Sequence, residues 1–306
     1  MRGAFSDALT AAARENEKVL LLTGDHGYAL FDSFREEFPE RFLNLGIAEQ
    51  NMIGVAAGLA KAGYLPIVYG LASFVPIRVL EQIKIDLLLD GLKVILVGDG
   101  AGFVYSSLGA SHQSGEDISA LRALPDIRIA SPADALEMHH VMDHALECSE
   151  TTYVRMGKSD LGAVHRAGDS LRVEELIPVM KPDRDICNIS FICTGSMVIM
   201  ARELIEAHYP GAGLWSAPTL KPFDKLGLLG AVPLGTSVIT LEEHYEVGAL
   251  GSIVSEILAE HSPLSVLRIG AKSSFAHTVG SHSHVLSSLG LDLESIRARV
   301  DAFTRP

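Results

Sequence analysis

The chain has few cysteines, few basic residues and no long apolar run, and each shortage excludes a class of protein. Cysteine occurs only three times in 306 residues, at Cys148, Cys187 and Cys193, without a CxxC spacing. An odd, unpatterned set does not build a secreted disulfide framework and fits buried thiols in a reducing compartment. Basic residues number 25 against 38 acidic ones, a formal net charge of -13. No Lys/Arg cluster is present to release counterions from nucleic acid or to bind an anionic membrane surface, so neither partner is expected. No segment approaches the roughly 18 apolar residues of a membrane span, and the first residues, Met1 to Asp7, lack a signal-peptide core. Internal repeats and low-complexity tracts are absent as well. These features point to the cytoplasm and to small-molecule or protein partners.

What is present is enough apolar material for real cores. At 306 residues and 48% hydrophobic, the chain predicts two domains that need no disulfide or metal staple. Residues 3–16 read as a helix, followed by the buried run Val19-Leu20-Leu21-Leu22. Short apolar runs recur at 42–45, 65–69, 94–97, 127–129 and 153–155, each bounded by Gly, Pro or Asp. Helical stretches at 48–62, 75–90 and 133–148 lie between them; Ser131-Pro132 opens the last, with Ser as the expected cap and Pro in the first turn. Strands alternating with such helices predict α/β architecture, a parallel sheet covered on both faces. The rhythm fades over 166–186, expected to be an exposed linker. A second, smaller doubly wound unit follows at 187–306, with strands at 189–194, 214–215, 237–241 and 266–269, and helices at 197–208, 249–260 and from 293. The expected division is therefore domain 1–165, linker 166–186 and domain 187–306.

The stretch most dense in chemistry is Gly46-Ile47-Ala48-Glu49-Gln50-Asn51-Met52. Gly46 permits a sharp turn, and Glu49 falls in the first helical turn at the carboxyl edge of the sheet, where open α/β folds bind ligands. Glu49 there either complements the helix dipole or serves the ligand site. The small-residue run Gly54 to Ala60 predicts close packing, a desolvated carboxyl with a raised pKa and a candidate proton shuttle. Arg78 and Glu81 stand three apart, where an i,i+3 pair is possible. Asp25, at the end of the first strand, faces the same edge, where it either orients the ligand pocket or caps the next element. No phosphate-cradling glycine loop follows that strand. Ser111 lacks the frame of a nucleophile elbow, and the trio His277, His282, His284 matches no familiar zinc spacing.

These motifs together resemble the C-terminal half of a transketolase, its pyrimidine-binding domain followed by its C-terminal domain. Gly46 to Met52 is similar to the family's Gly-Ile-x-Glu-x-x-Met signature, and Gly109-Ala110-Ser111-His112-Gln113 to its Gly-x-Thr-His-Gln loop. Leu121 to Asp126, Ser131 to Asp134, Lys221 to Asp224, Glu242-Glu243-His244 and Gly248 to Ser252 follow in family order. The resemblance implies a thiamine diphosphate enzyme in which Glu49 hydrogen-bonds the aminopyrimidine and activates the cofactor for transfer of a two-carbon ketol unit from a ketose to an aldehyde. It implies that Phe74 packs on the pyrimidine, that Asp25 and Arg78 border the cofactor, and that His112 acts on the substrate side as proton donor or oxyanion partner.

Departures from the family pattern bear on the substrate. Ser106, Ser107 and Leu108 stand where an Asp binds sugar hydroxyls, and Gly98 stands where a His precedes Asp99. With a carboxylate exchanged for hydroxyl and apolar groups, donor and acceptor are expected to differ from pentose phosphates, while Arg155 and Lys158 keep basic character where the family has a phosphate-binding Arg. Ser107, Asp99, Arg155 and Lys158 are the expected substrate contacts. Gly98-Asp99-Gly100 imitates the start of a cofactor-metal motif, but the expected Asn about thirty residues on is missing. The resemblance thus implies that Mg²⁺ (or Ca²⁺) and the diphosphate are held mainly by a separate N-terminal subunit, in an α2β2 heterotetramer. Within the enzymes, the alternatives are the β subunit of a 2-oxo acid dehydrogenase and a deoxyxylulose-phosphate-synthase-like ligase; a non-catalytic scaffold subunit is the alternative outside them.

Overall fold

The computed structural model describes residues 1–158 and 161–305. The first sheet holds β1 (Val19–Thr23), β2 (Phe42–Asn44), β3 (Leu65–Leu71), β4 (Ile95–Asp99), β5 (Ile127–Ala130) and β6 (Thr151–Met156), all parallel. The second holds β7 (Ile177–Met180), β8 (Ile189–Cys193), β9 (Gly213–Ser216), β11 (Ser237–Tyr245) and β12 (Val266–Ala271). β10 (Thr219–Lys221) belongs by sequence to the second unit but pairs antiparallel with β5. The orders are β10-β5-β6-β4-β3-β1-β2 and β12-β11-β8-β9-β7.

The strands are apolar without alternation because both faces of each sheet are covered. Leu20, Leu22, Val68 and Leu96 pack on one face with Met52 and Ile53 of the helix Glu49–Lys61. Their neighbours Leu21, Ile67, Tyr69 and Val97 pack on the other with Phe5 and Leu9 of the helix Arg2–Glu15 and with Met138 and Val141. The first of these cores runs on into the second unit through Ile118 and Leu121, which join a cluster containing Leu220, Leu228 and Leu250. Among the described residues no helix is long and apolar enough to cross a membrane.

Several local expectations need correction. The segment 166–186 is not a bare connection: Val173, Leu176 and Ile177 are buried, and β7 pairs antiparallel with β9. The 75–90 stretch is no single helix; a 3₁₀ turn at Ile77–Val79 leads into a short α turn and a π-helical run over Ile83–Leu88. Pro76 within it has no N–H to give a regular helix. The helix Ala135–Glu147 is capped by Asp134, whose carboxylate accepts from the Glu137 amide, rather than by Ser131. Of the cysteines only Cys193 is buried; Cys148 and Cys187 are partly exposed.

Candidate active site

Glu49 is the first residue of its helix, and the preceding turn is made at Gly46 with φ +73°. That position places the carboxylate at the positive end of the helix dipole. The residue is only 5% exposed, yet the expected small-residue packing is not the cause. A Cβ at Gly54 or Gly58 would meet nothing within 4 Å, so those glycines lie on an open helix face. The enclosing groups are on the other side: a Cβ added to Gly24 would approach Gly46 O at 3.2 Å and Glu49 Cγ at 3.9 Å.

Arg78 does not pair with Glu81. Its Nη1 donates to Glu49 Oε2 at 2.9 Å, while its guanidinium carbon lies 3.9 Å from the centroid of the Phe74 ring. Phe74 in turn meets His112 edge-on, with ring centroids 5.4 Å apart at 63°. His112 Nδ1 is 3.0 Å from Ser111 Oγ. Glu49, Arg78, Phe74 and His112 therefore form one unbroken line of contacts at the carboxyl edge of the sheet, although they come from three separate segments. Asp25 is exposed beside it, in the left-handed region at φ +57°, held by Tyr28 Oη at 2.5 Å and Asn44 Nδ2 at 3.2 Å. Those hydrogen bonds hold its carboxyl below the usual range.

The other expected contacts are not brought into this line. Asp99 is buried at the end of β4, where it accepts from Tyr105 Oη at 2.8 Å and lies 3.2 Å from His26 Nε2 and 3.7 Å from Arg2. Burial raises its pKa, but His26, Arg2 and Tyr105 outweigh that and keep it below the ordinary value. Its carboxylate is engaged by these groups, and no sequence spacing joins His26 to a residue 73 positions away. Arg155 is corrected more sharply. It is 3% exposed and bonds Asp117 Oδ2 at 2.8 Å, Ser114 O at 3.3 Å and Glu243 O at 2.8 Å. A guanidinium so committed ties the two domains together and does not present itself to a phosphate. Ser107 is exposed on the 3₁₀ turn Ser106–Leu108. Lys158 borders a separate cavity of about 550 Å³ with Met1, Asp134, His139 and His165.

In the second domain, two of the motif carboxylates cap helices. Glu242 accepts the Leu250 and Gly251 amides at 2.8 Å each and so caps the helix Leu250–His261. Asp224 caps its own helix through the Gly227 amide. His282 is drawn out of the trio with His277 and His284 by a 2.8 Å contact to Glu243.

Comparison with known proteins settles what this arrangement belongs to. Residues 1–163 match the transketolase pyrimidine binding domain, and residues 179–296 match the transketolase C-terminal domain. The chain belongs to the transketolase family. It is 32% identical over 300 residues to the second of the subunits named for the apulose-4-phosphate transketolase of Phocaeicola vulgatus, covering 96% of this chain and 94% of that one. It is 27% identical over 300 residues to the 6-deoxy-6-sulfo-D-fructose transketolase subunit SqwH of a Clostridium species, covering 97% and 92%. Among solved structures, a split-gene transketolase described as an inactive β4 tetramer superposes with a TM-score of 0.86 at 31% identity, covering 98% and 96%. This transketolase-family chain thus has the extent of a C-terminal subunit, its pyrimidine-binding and C-terminal domains in succession.

Proposed function

We propose that this chain is the C-terminal subunit of a split, thiamine diphosphate-dependent transketolase that moves a two-carbon ketol unit from a ketose donor to an aldehyde acceptor. One observation carries the reading. The Arg78 guanidinium, a flat nitrogen group, already lies on the face of Phe74 while donating a hydrogen bond to Glu49. The aromatic face of Phe74 and the Glu49 carboxylate are the groups an aromatic nitrogen heterocycle would use in place of that guanidinium, with Arg78 moving to the ring's edge.

When bound, thiamine diphosphate supplies the nucleophilic carbon that breaks and remakes the C–C bond. The chain's own residues do the rest. Glu49 shares a proton with a ring nitrogen from a fixed, buried position. Phe74 sets the plane of the ring and excludes water from one face. His112, steadied by Ser111 and by the edge of Phe74, holds or releases a proton on the substrate side.

Several bulky apolar side chains border this edge and are exposed: Tyr28 at 68%, Ile47 at 78%, Leu108 at 54% and Val279 at 57%. Such a concentration is a surface for a protein partner. The partner is an N-terminal subunit that supplies the diphosphate-binding domain and the Mg²⁺ or Ca²⁺ site, in an α2β2 complex. The test is to assay the purified chain with and without that subunit against ketose donors and 2-oxo acids. Ketol transfer that appears only on mixing supports the proposal. Turnover by the chain alone refutes the need for a partner. Release of CO₂ from a 2-oxo acid favours the deoxyxylulose-phosphate-synthase or dehydrogenase reading, and no turnover in any mixture favours a scaffold.

A further inference from the structure

The loop that carries His112 is gripped by the other domain. It leaves β4 at Asp99, and its base is closed by a pair of backbone bonds, Gly102 N to Ser114 O at 3.1 Å and Ser114 N to Gly102 O at 2.8 Å. Immediately after that closure the Phe103 amide donates to Oε1 of Glu243, at 2.8 Å, across the domain boundary. The same oxygen is 2.8 Å from His282 Nε2, and Oε2 accepts from Ser196 Oγ at 2.6 Å. Gly102 has φ +71°, and a Cβ there would sit 2.6 Å from Glu243 Oε1; glycine is what lets the loop come this close. Further along the loop, Ser106 Oγ donates to Gly280 O at 2.9 Å. Gly280 lies two residues before His282.

Glu243 is 2% exposed. Burial alone raises its pKa, yet His282, Ser196 and the Phe103 amide together keep it below the usual carboxylate range. A buried carboxylate is an expensive way to fill a domain joint, since an apolar residue of similar volume often serves stability as well. What an apolar side chain cannot do is hold one backbone amide of a loop in one place. Among the described residues, no hydrogen bond or ion pair joins Glu243, Ser196 or His282 to Glu49, Arg78 or His112.

We propose that Glu243 is a positioning residue for the catalytic loop. Through Phe103 it sets where the His112 imidazole stands against Phe74, and it makes the C-terminal domain a working part of the site. This rests on the transketolase reading for its catalytic consequence, but not for its mechanical one. The two are separated by measuring each.

Hydrogen exchange on the full-length chain, which needs no activity, follows the amides of residues 100–113 in Glu243→Gln, Glu243→Ala and Ser196→Ala. Glu242→Gln is the control, because Glu242 is equally buried on the same strand but caps a helix and does not touch the loop. The expected result is loop exchange faster by roughly tenfold or more in Glu243→Ala, the factor a hydrogen bond to a charged acceptor supplies, with Glu243→Gln less affected and Glu242→Gln unchanged. In the complex with the N-terminal subunit, kcat is expected to fall by roughly 10- to 100-fold in Glu243→Ala, the scale of a catalytic group displaced by a remote change, and less in Glu243→Gln. The KM for thiamine diphosphate stays near wild type, because Glu49 and Phe74 are untouched. Unchanged loop exchange, or equal acceleration in Glu242→Gln, overturns the proposal. A loosened loop with unchanged kcat overturns its catalytic half. If the wild-type complex has no transketolase activity, the functional reading fails while the exchange result still decides whether Glu243 holds the loop. Should Glu243→Ala not fold, Ser196→Ala, which removes one donor to the same carboxylate, gives the weaker form of the same pattern.

Discussion

Removing the Asp117 carboxylate should destabilise this protein strongly, because it breaks a buried ion pair at the domain joint. Asp117 and Arg155 have side-chain exposures of 0% and 3%, and their closest contact is 2.8 Å. Tyr153 Oη also donates to Asp117, at 2.8 Å. In Asp117→Ala the guanidinium keeps two carbonyl partners, Ser114 O and Glu243 O, but loses the only carboxylate it touches among the described residues and stays buried. Breaking a buried pair in this way costs about 3–5 kcal/mol. At about 2–4 °C per kcal/mol for a protein somewhat smaller than this one, the melting temperature falls by roughly 6–20 °C. The assay is thermal unfolding followed by circular dichroism. The double variant Asp117→Leu/Arg155→Met removes both charges and should recover much of the loss, because a matched apolar pair no longer leaves a charge stranded. A melting temperature for Asp117→Ala within about 2 °C of wild type would refute the reasoning, and so would a double variant less stable than the single one.

Further outcomes follow from the same structure. Asp134→Ala removes a helix cap and also an acceptor for the Val164 and His165 amides, at 2.7 and 2.9 Å; a loss of about 2 kcal/mol is expected in denaturant titration. Asp134→Asn keeps a capping oxygen and should lose less. Burial lowers the pKa of His244 from 6.5 to about 4. The unfolded chain therefore takes up this proton near pH 6.5 and the folded chain only near 4, so the contribution is present above pH 6.5 and lost as the pH falls toward 4. Over that window it amounts to about 3 kcal/mol. Burial pushes the Glu242 carboxyl up to about 7, which acts in the opposite direction over much of the same window. The His244 contribution is therefore read as a difference: urea midpoints measured from pH 7 to 4 should fall more steeply, or rise less, in wild type than in His244→Gln.

Much of the fold was legible in the sequence because buried parallel strands are written as short, unbroken apolar runs. β1 to β6 and the helix Met197–His208 lie where that grammar puts them. β7 and β10 were not legible. β10 is three residues flanked by Pro218 and Pro222, which reads as turn; its strand character comes from covering the exposed edge of β5, an interaction between domains that no local pattern records. β7 likewise exists only as a partner for β9. The candidate site shows the same division. Glu49, Phe74 and His112 could be picked out by motif, and the structure brings them together. The partner of Arg78 could not be chosen by spacing, since Glu81 is nearer in sequence but Glu49 is nearer in space. The surroundings of Arg155 were not legible, because an arginine at a strand end looks the same in sequence whether it faces solvent or a buried Asp117. Glu243 belongs to a motif that carried no chemical meaning until the fold placed it against Phe103.

The central claim is that Glu49, from its buried place and joined to Phe74 through Arg78, activates the cofactor's reactive carbon. The direct measurement is exchange of the C2 proton of thiamine diphosphate for deuterium, followed by NMR in the complex of this chain with its N-terminal subunit, for wild type and Glu49→Gln. The substitution keeps the side chain's shape and its ability to accept from Arg78, but not its ability to take a proton. Exchange is predicted to slow by roughly 10²- to 10⁴-fold, the range for loss of a positioned acid–base group, with the complex still assembled. Exchange at the wild-type rate in an intact Glu49→Gln complex would contradict the claim.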